Sequence, residues 1–206
     1  ARVAKTGKPM IISTGMASKE EISEAIETAR SNGCNELVVL QCVSGYPAPA
    51  EQYNLRTIPD IAQSFNVLSG LSDHTIDNAT AIASVALGAC LIEKHVTLDR
   101  SGGGADDSFS LEPKELEQLC RDSRTAWLSL GEVNYNRTKA ELGNVKFRRS
   151  LYAVKDIQAG ETFTLENVRC IRPGFGIAPK HLNEVIGKKA TRDLSKGTAL
   201  KFVMVN

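Results

Sequence analysis

Four short apolar runs punctuate the first half of the chain: PMIIST (9–14), ELVVLQ (36–41), NVLSGL (66–71) and CLIEKH (90–95). Their length and β-branched content predict buried strands rather than helices. Segments with helical spacing separate them. Ser18-Lys19-Glu20-Glu21 has the S-x-x-E form of a capping box; Ile22, Ala25, Ile26 and Ala29 then trace one helical face, and Gly33 is a C-terminal stop. Leu55 to Phe65 places Ile58, Ile61, Ala62 and Phe65 on one face, and its Pro59 is compatible with a helix only near the start. Ile76 to Leu87 predicts a third helix stopped at Gly88, and Pro113 opens a long fourth one ending at Gly131.

Strand then helix, four times over at about 25–30 residues per unit, is the period of βαβ units with parallel strands and right-handed crossovers. Four such units make half of a (β/α)8 barrel, whose usual size is about 250 residues. A flavodoxin-like open sheet is the alternative. The pattern changes near residue 131, where the polar stretch NYNRTKAELGNVKFRR (134–149) reads as a linker. Beyond it the chain repeats itself: KDIQAGETF (155–163) and RDLSKGTAL (192–200) share basic-Asp-Ile/Leu-x-x-Gly-x-x-apolar, thirty-seven residues apart. Each predicts a strand end, a tight turn with glycine at positive φ, and a new strand. The organisation expected is therefore 1–131 as half of a barrel, 132–147 as linker, and 148–206 as a small β-rich domain with internal pseudo-symmetry. The last is small for a self-sufficient core.

Composition narrows the function classes. With 25 basic and 24 acidic residues the net charge is +1, which offers no polyanion-binding surface. A mean hydropathy of −0.18 fits a soluble globular chain, no apolar run approaches the roughly 20 residues of a membrane span, and ARVAKTGKPM lacks the hydrophobic core of a signal peptide. Five scattered cysteines with no CxxC predict reduced, mostly buried thiols and a cytoplasmic protein.

In barrels and open parallel sheets the sites gather at the C-terminal strand ends. There the sequence has Ser13-Thr14-Gly15, Gln41 to Tyr46, Ser72-Asp73-His74-Thr75, and His95 followed by VTLDRSGGGADDSFS. Two of the three histidines, His74 and His95, would end neighbouring strands about 4.8 Å apart, where two imidazoles at one height can share an ion. Two histidines with open positions suit a catalytic divalent metal better than a closed structural zinc site; a hydrogen-bonded, partly buried role for each is the competing reading. Ser13, Ser44 and Ser72 offer hydroxyls to an anion, or ordinary turn chemistry. Asp106 or Asp107, in GGGADDSF, offers a carboxylate to a hydroxyl, a metal-bound water or a proton. Asp73 and Lys94 are expected to point to the face opposite their histidine neighbours. Arg172, in the stiff loop RPGFG, presents a planar fork to a carboxylate or to sugar oxygens.

STGM, C-V-S-G-Y-P, GLSDHT, EKH and the Gly-Ala-Asp loop occur in the order found in nonulosonic (sialic) acid synthases, and FRRSLYAVKDIQAGETF…IRPGFG…GKKATRDLSKGTAL resembles their C-terminal antifreeze-like, or SAF, domain. EKHVTLDRSGGGADDSFSLEP and RPGFGIAPKHLNEVIGKKA are most similar to the pseudaminic acid synthase branch. The resemblance implies condensation of phosphoenolpyruvate with an open-chain acetamido sugar, here 2,4-diacetamido-2,4,6-trideoxy-L-altrose, to a nine-carbon 2-keto acid and phosphate, with Mn2+ or Mg2+. It assigns His74 and His95 to the metal and Ser13, Ser44 and Ser72 to phosphoenolpyruvate, although Ser44 stands where the N-acetylneuraminate branch has asparagine. Tyr46 and Asp106 become active-site residues, with Ala105 replacing the family's loop proline. Arg172 becomes an arginine that reaches a partner subunit's site in a domain-swapped homodimer. It also implies four preceding βα units with a catalytic glutamate and substrate-binding lysines, so that these 206 residues alone are expected to be an inactive portion of a longer enzyme. The competing functions are an N-acetylneuraminate or legionaminate synthase, a non-catalytic carbohydrate-binding or assembly module, and a metal-dependent aldolase, which the SAF tail opposes.

Overall fold

The computed structural model describes every residue from Ala1 to Asn206 and divides into two compact units, Ala1–Glu132 and Val133–Asn206. In the first unit four strands, β1 (Met10–Ser13), β2 (Leu37–Cys42), β3 (Leu68–Asp73) and β4 (Ile92–Lys94), pair in parallel in chain order. The helices α1 (Lys19–Ser31), α2 (Thr57–Phe65), α3 (Ala79–Ala86) and α4 (Pro113–Leu130) follow one strand each. This is the half-barrel expectation, and the local reasons hold. Ser18 caps α1 in a full capping box, Gly33 follows it at φ +91°, Pro59 falls in the first turn of α2, and Pro113 opens α4. The third helix starts three residues later than its apolar pattern does. The backbone before it is held elsewhere: the Ala79 N–H donates to Asp77 Oδ1 and the Asp77 carbonyl accepts from Lys94 Nζ.

Alternation along the strands separates two faces. One face packs on the helices in two clusters. Ile26, Ala29, Leu37, Val39 and Ile61 form the first, Tyr53, Ile58, Leu71, Ala81, Leu111 and Leu119 the second. Burying each Leu or Ile is worth about 1.5–3 kcal/mol, so this layer carries the unit. The register Ser13↔Leu40↔Gly70 and Cys42↔Ser72↔Glu93 defines the opposite, inner face. There Ile11 and Leu68 are exposed near the N-terminal strand ends, while polar residues gather at the C-terminal ends.

The second unit has its own core of Leu151, Ile157, Phe163, Val168, Val185, Leu194 and Leu200 around the antiparallel pair β5 (Ser150–Ala153) and β6 (Val168–Ile171). The repeated motif is a physical pseudo-dyad. Ile157 and Leu194 exchange both backbone hydrogen bonds at 2.8 Å. Asp193 accepts from the Ala159 N–H (2.8 Å) and Asp156 from the Lys196 N–H (2.7 Å), so each repeat caps the other's turn. Gly160 and Gly197 take the positive φ those turns require, +83° and +90°. The polar stretch before β5 is not featureless: Thr138 caps the helical turn α5 (Lys139–Leu142). A further short helix, α6 (Leu182–Val185), completes the unit. All five cysteines are free. Only Cys34 and Cys42 are buried, whereas Cys90 and Cys120 are exposed, so the expectation of mostly buried thiols does not hold. No helix is long and apolar enough to cross a membrane.

Candidate functional site

Continuing the register by one pleat beyond Ser72↔Glu93 sets His74 level with His95 on the inner face. Their ring centroids lie 5.2 Å apart. The Nδ1 of His74 is 2.8 Å from the Val43 carbonyl. A carbonyl only accepts, so this nitrogen carries the proton and leaves Nε2 with its lone pair. His95 Nδ1 faces Asp106 Oδ2 at 3.5 Å. Neither Nε2 has a hydrogen-bond partner. An imidazole held through Nδ1 by a carbonyl, facing a second whose Nδ1 lies near a carboxylate, matches the outer-shell surroundings of histidine metal ligands. The donor chemistry therefore fits a divalent ion with open positions, although no third His, Cys, Asp or Glu completes a ligand set.

Aromatic rings wall the pair. Tyr46 lies over His74 at 4.3 Å and meets His95 at 5.9 Å, while Phe109 meets His95 at 5.2 Å and Tyr46 at 5.7 Å. Phe109 is buried within the glycine-rich loop, and that loop is tightly built. Leu111 returns beside β4 and donates to the His95 carbonyl. Asp107 accepts from the Gly104 N–H at 2.7 Å, and a Cβ at Gly104 would sit 2.9 Å from that carboxylate. Arg100 ties the loop to the start of α4 through the Ser110 carbonyl and Glu115. Asp107 is thus consumed in shaping the loop, and Asp106 is the carboxylate presented to the site.

One pleat below the histidines, Ser72 donates to Glu93 Oε1 at 2.8 Å. Ser72 is 2% exposed, whereas Ser13 and Ser44 are exposed with hydroxyls free. Asp73 and Lys94 point away from their histidine neighbours, as alternation predicts. On that opposite face the buried Lys94 ammonium donates to Asp73 Oδ2 (2.8 Å), to the Thr75 carbonyl and hydroxyl and to the Asp77 carbonyl. The structure thus brings Tyr46, His74, His95 and Asp106 together and sets Ser13 and Ser72 on the inner face of the sheet, with Ser44 in the loop that follows β2. Arg172 is exposed in the second unit, where His181 pairs with Glu184 and meets Phe202 edge-to-face in a packing role. Sequence reasoning missed Glu93, Phe109 and Tyr53. Period-two alternation from His95 could have found Glu93, and a lone aromatic in a glycine-rich loop was a signal for Phe109. Nothing local marked Tyr53.

Comparison with known proteins adds the relationship. The chain is 42% identical over 199 residues to a pseudaminic acid synthase of Campylobacter jejuni strain 81-176, covering 97% of this chain and 58% of that protein. It is 38% identical over 203 residues to an N,N'-diacetyllegionaminic acid synthase of Campylobacter jejuni, covering 97% and 61%. Among solved structures, the spore coat polysaccharide biosynthesis protein SpsE of Bacillus subtilis superposes over 99% of this chain and 63% of that one, with a TM-score of 0.59 and 34% identity. The chain thus spans about three fifths of the length of these relatives. The SAF domain model matches residues 148–206, and the NeuB model matches residues 1–135, so the chain belongs to the NeuB family.

Proposed function

We propose that this chain is the part of a nonulosonic acid synthase that carries the metal-binding histidines and the SAF domain. The enol carbon of phosphoenolpyruvate attacks the aldehyde carbon of an acetamido sugar, water adds at C2, and the C–O bond to phosphate breaks. Phosphoenolpyruvate, sugar and water thus become a nine-carbon 2-keto acid and phosphate. The single observation that carries this reading is the facing pair His74 and His95 at neighbouring strand ends, with Nδ1 of the first bonded to a carbonyl and Nδ1 of the second facing Asp106. His74 and His95 would hold a divalent ion, Mn2+ or Mg2+, and such an ion would supply polarisation and positioning of the aldehyde oxygen or of the water. Asp106 orients His95 or a substrate hydroxyl, and Tyr46 lines the sugar's approach. Ser13 and Ser44 donate to phosphoenolpyruvate. Ser72 joins them only when its hydroxyl turns away from Glu93. Arg172 binds substrate from a partner subunit in a domain-swapped dimer. The 42% identical pseudaminic acid synthase supports the pseudaminic branch, and for that branch the family resemblance implies 2,4-diacetamido-2,4,6-trideoxy-L-altrose as the sugar. The 38% relative makes the legionaminate precursor the competing substrate.

Manganese binding to the 206-residue chain is the test. It is expected to be lost in both His74→Ala and His95→Ala. Sugar binding that needs no metal and survives both substitutions would point instead to a carbohydrate-binding module. No lysine lies on the inner face of the four strands, so the reading assigns the remaining phosphate-binding cations to strands beyond these. The 206 residues by themselves are expected to release no phosphate from phosphoenolpyruvate, the diacetamido sugar and Mn2+, and robust turnover would remove that part of the proposal.

A further inference from the structure

His74 is clamped through its backbone as well as its ring. Its N–H donates to the Tyr53 hydroxyl at 2.6 Å, and its carbonyl accepts from the Ala48 N–H at 3.0 Å. The same phenol donates its own hydrogen to the Ser72 carbonyl at 3.3 Å. Tyr53 is 0% exposed, and its backbone carbonyl is held by the Gln41 side-chain amide at 3.0 Å.

The position has a physical logic. β3 ends at Asp73, so the Ser72 carbonyl and the His74 N–H point where a neighbouring strand would otherwise continue the ladder. Leaving both unpaired in a buried place is costly. A hydroxyl can accept from one and donate to the other at once. The Tyr53 side chain thus adds one rung beyond the sheet, at the residue that carries the imidazole.

We infer that Tyr53 is a positioning residue whose buried hydroxyl fixes the height and rotation of His74 and so its separation from His95. The inference rests on reading the two histidines as a metal-binding pair, and nothing in the reaction requires Tyr53 to touch substrate.

Tyr53→Phe keeps the ring in the core and removes only the bridging oxygen. Ile58→Val, in the same cluster, is the control for a loss of packing alone. Two readouts are taken on the 206-residue chain: Mn2+ affinity by electron paramagnetic resonance, and NMR of the His74 amide with nuclear Overhauser contacts between the His74 and His95 rings. Tyr53→Phe is expected to weaken Mn2+ binding about tenfold, to speed exchange of the His74 amide at least about tenfold, and to lose the ring–ring contacts. Ile58→Val should leave all three unchanged. A folded Tyr53→Phe protein with parental exchange and ring contacts overturns the inference. Should Tyr53→Phe not fold, the unsubstituted chain decides: a His74 amide as protected as the β3 amides supports the clamp, and exchange at loop rates overturns it. If the unsubstituted chain binds no Mn2+, the metal reading falls, and the NMR arm still judges the clamp by itself.

Discussion

The Lys94 and Asp73 side chains are 3% and 0% exposed and touch at 2.8 Å. Their desolvation offsets much of their attraction, so the pair adds little net stability over an apolar pair, but removing one partner strands the other. Lys94→Ala is expected to cost about 3–5 kcal/mol in urea unfolding, and Lys94→Ala combined with Asp73→Ala distinctly less than the sum. The same pair shows how far a single residue could be read from sequence. Alternation was enough to turn Asp73 and Lys94 away from the histidines. It could not reveal that they meet across β3 and β4, because that contact depends on register. Ser72 is the converse case: its strand and its face were legible, but its hydrogen goes to Glu93, whose place beside it is set by the neighbouring strand.

At the scale of elements, the loop between β4 and α4 owes its shape to one apolar anchor and several polar ties. Phe109→Ala should cost about 3–5 kcal/mol and expose the 99–110 segment to limited proteolysis, while Phe109→Leu should largely restore resistance. The start of α4 gives a pH expectation. The Glu112 backbone N–H, then the Arg100 guanidinium, hold the Glu115 carboxyl below its ordinary value of 4.5. A lowered folded pKa means the contribution is fully present above that ordinary value and is lost as pH falls through the folded one. Protection of the Glu112 amide should therefore fade only below about pH 4.5, with Arg100→Ala moving the midpoint upward. In the second unit, Asp156→Ala and Asp193→Ala each remove one carboxylate-to-backbone hydrogen bond from equivalent turns. Each should lower stability by about 1 kcal/mol, equally within error, by thermal unfolding. The repeat that makes these turns equivalent was visible as KDIQAG and RDLSKG. Their mutual capping was not, since the partners are 34 and 40 residues apart.

At the scale of the molecule, each unit encloses its own apolar clusters. Residues 133–206 alone are therefore expected to unfold cooperatively with dispersed amide resonances, although a chain of that size is marginal by surface-to-volume scaling. A collapsed spectrum would show that this core needs more than its own residues. The sequence by itself determined the order of strands and helices, the parallel βα units, the β-rich tail with its repeat, and the two histidines at matched strand ends. All of these follow from periodicity, caps and turn residues, which act over a few neighbours. Only the tertiary structure decided that Tyr53 extends the sheet beneath His74, that Phe109 walls His95, and that the Ser72 hydroxyl donates its hydrogen bond to Glu93. The physical reason is that a buried hydroxyl, ring or carboxylate is defined by its partners, and a sheet brings those partners from strands and loops that the sequence keeps apart.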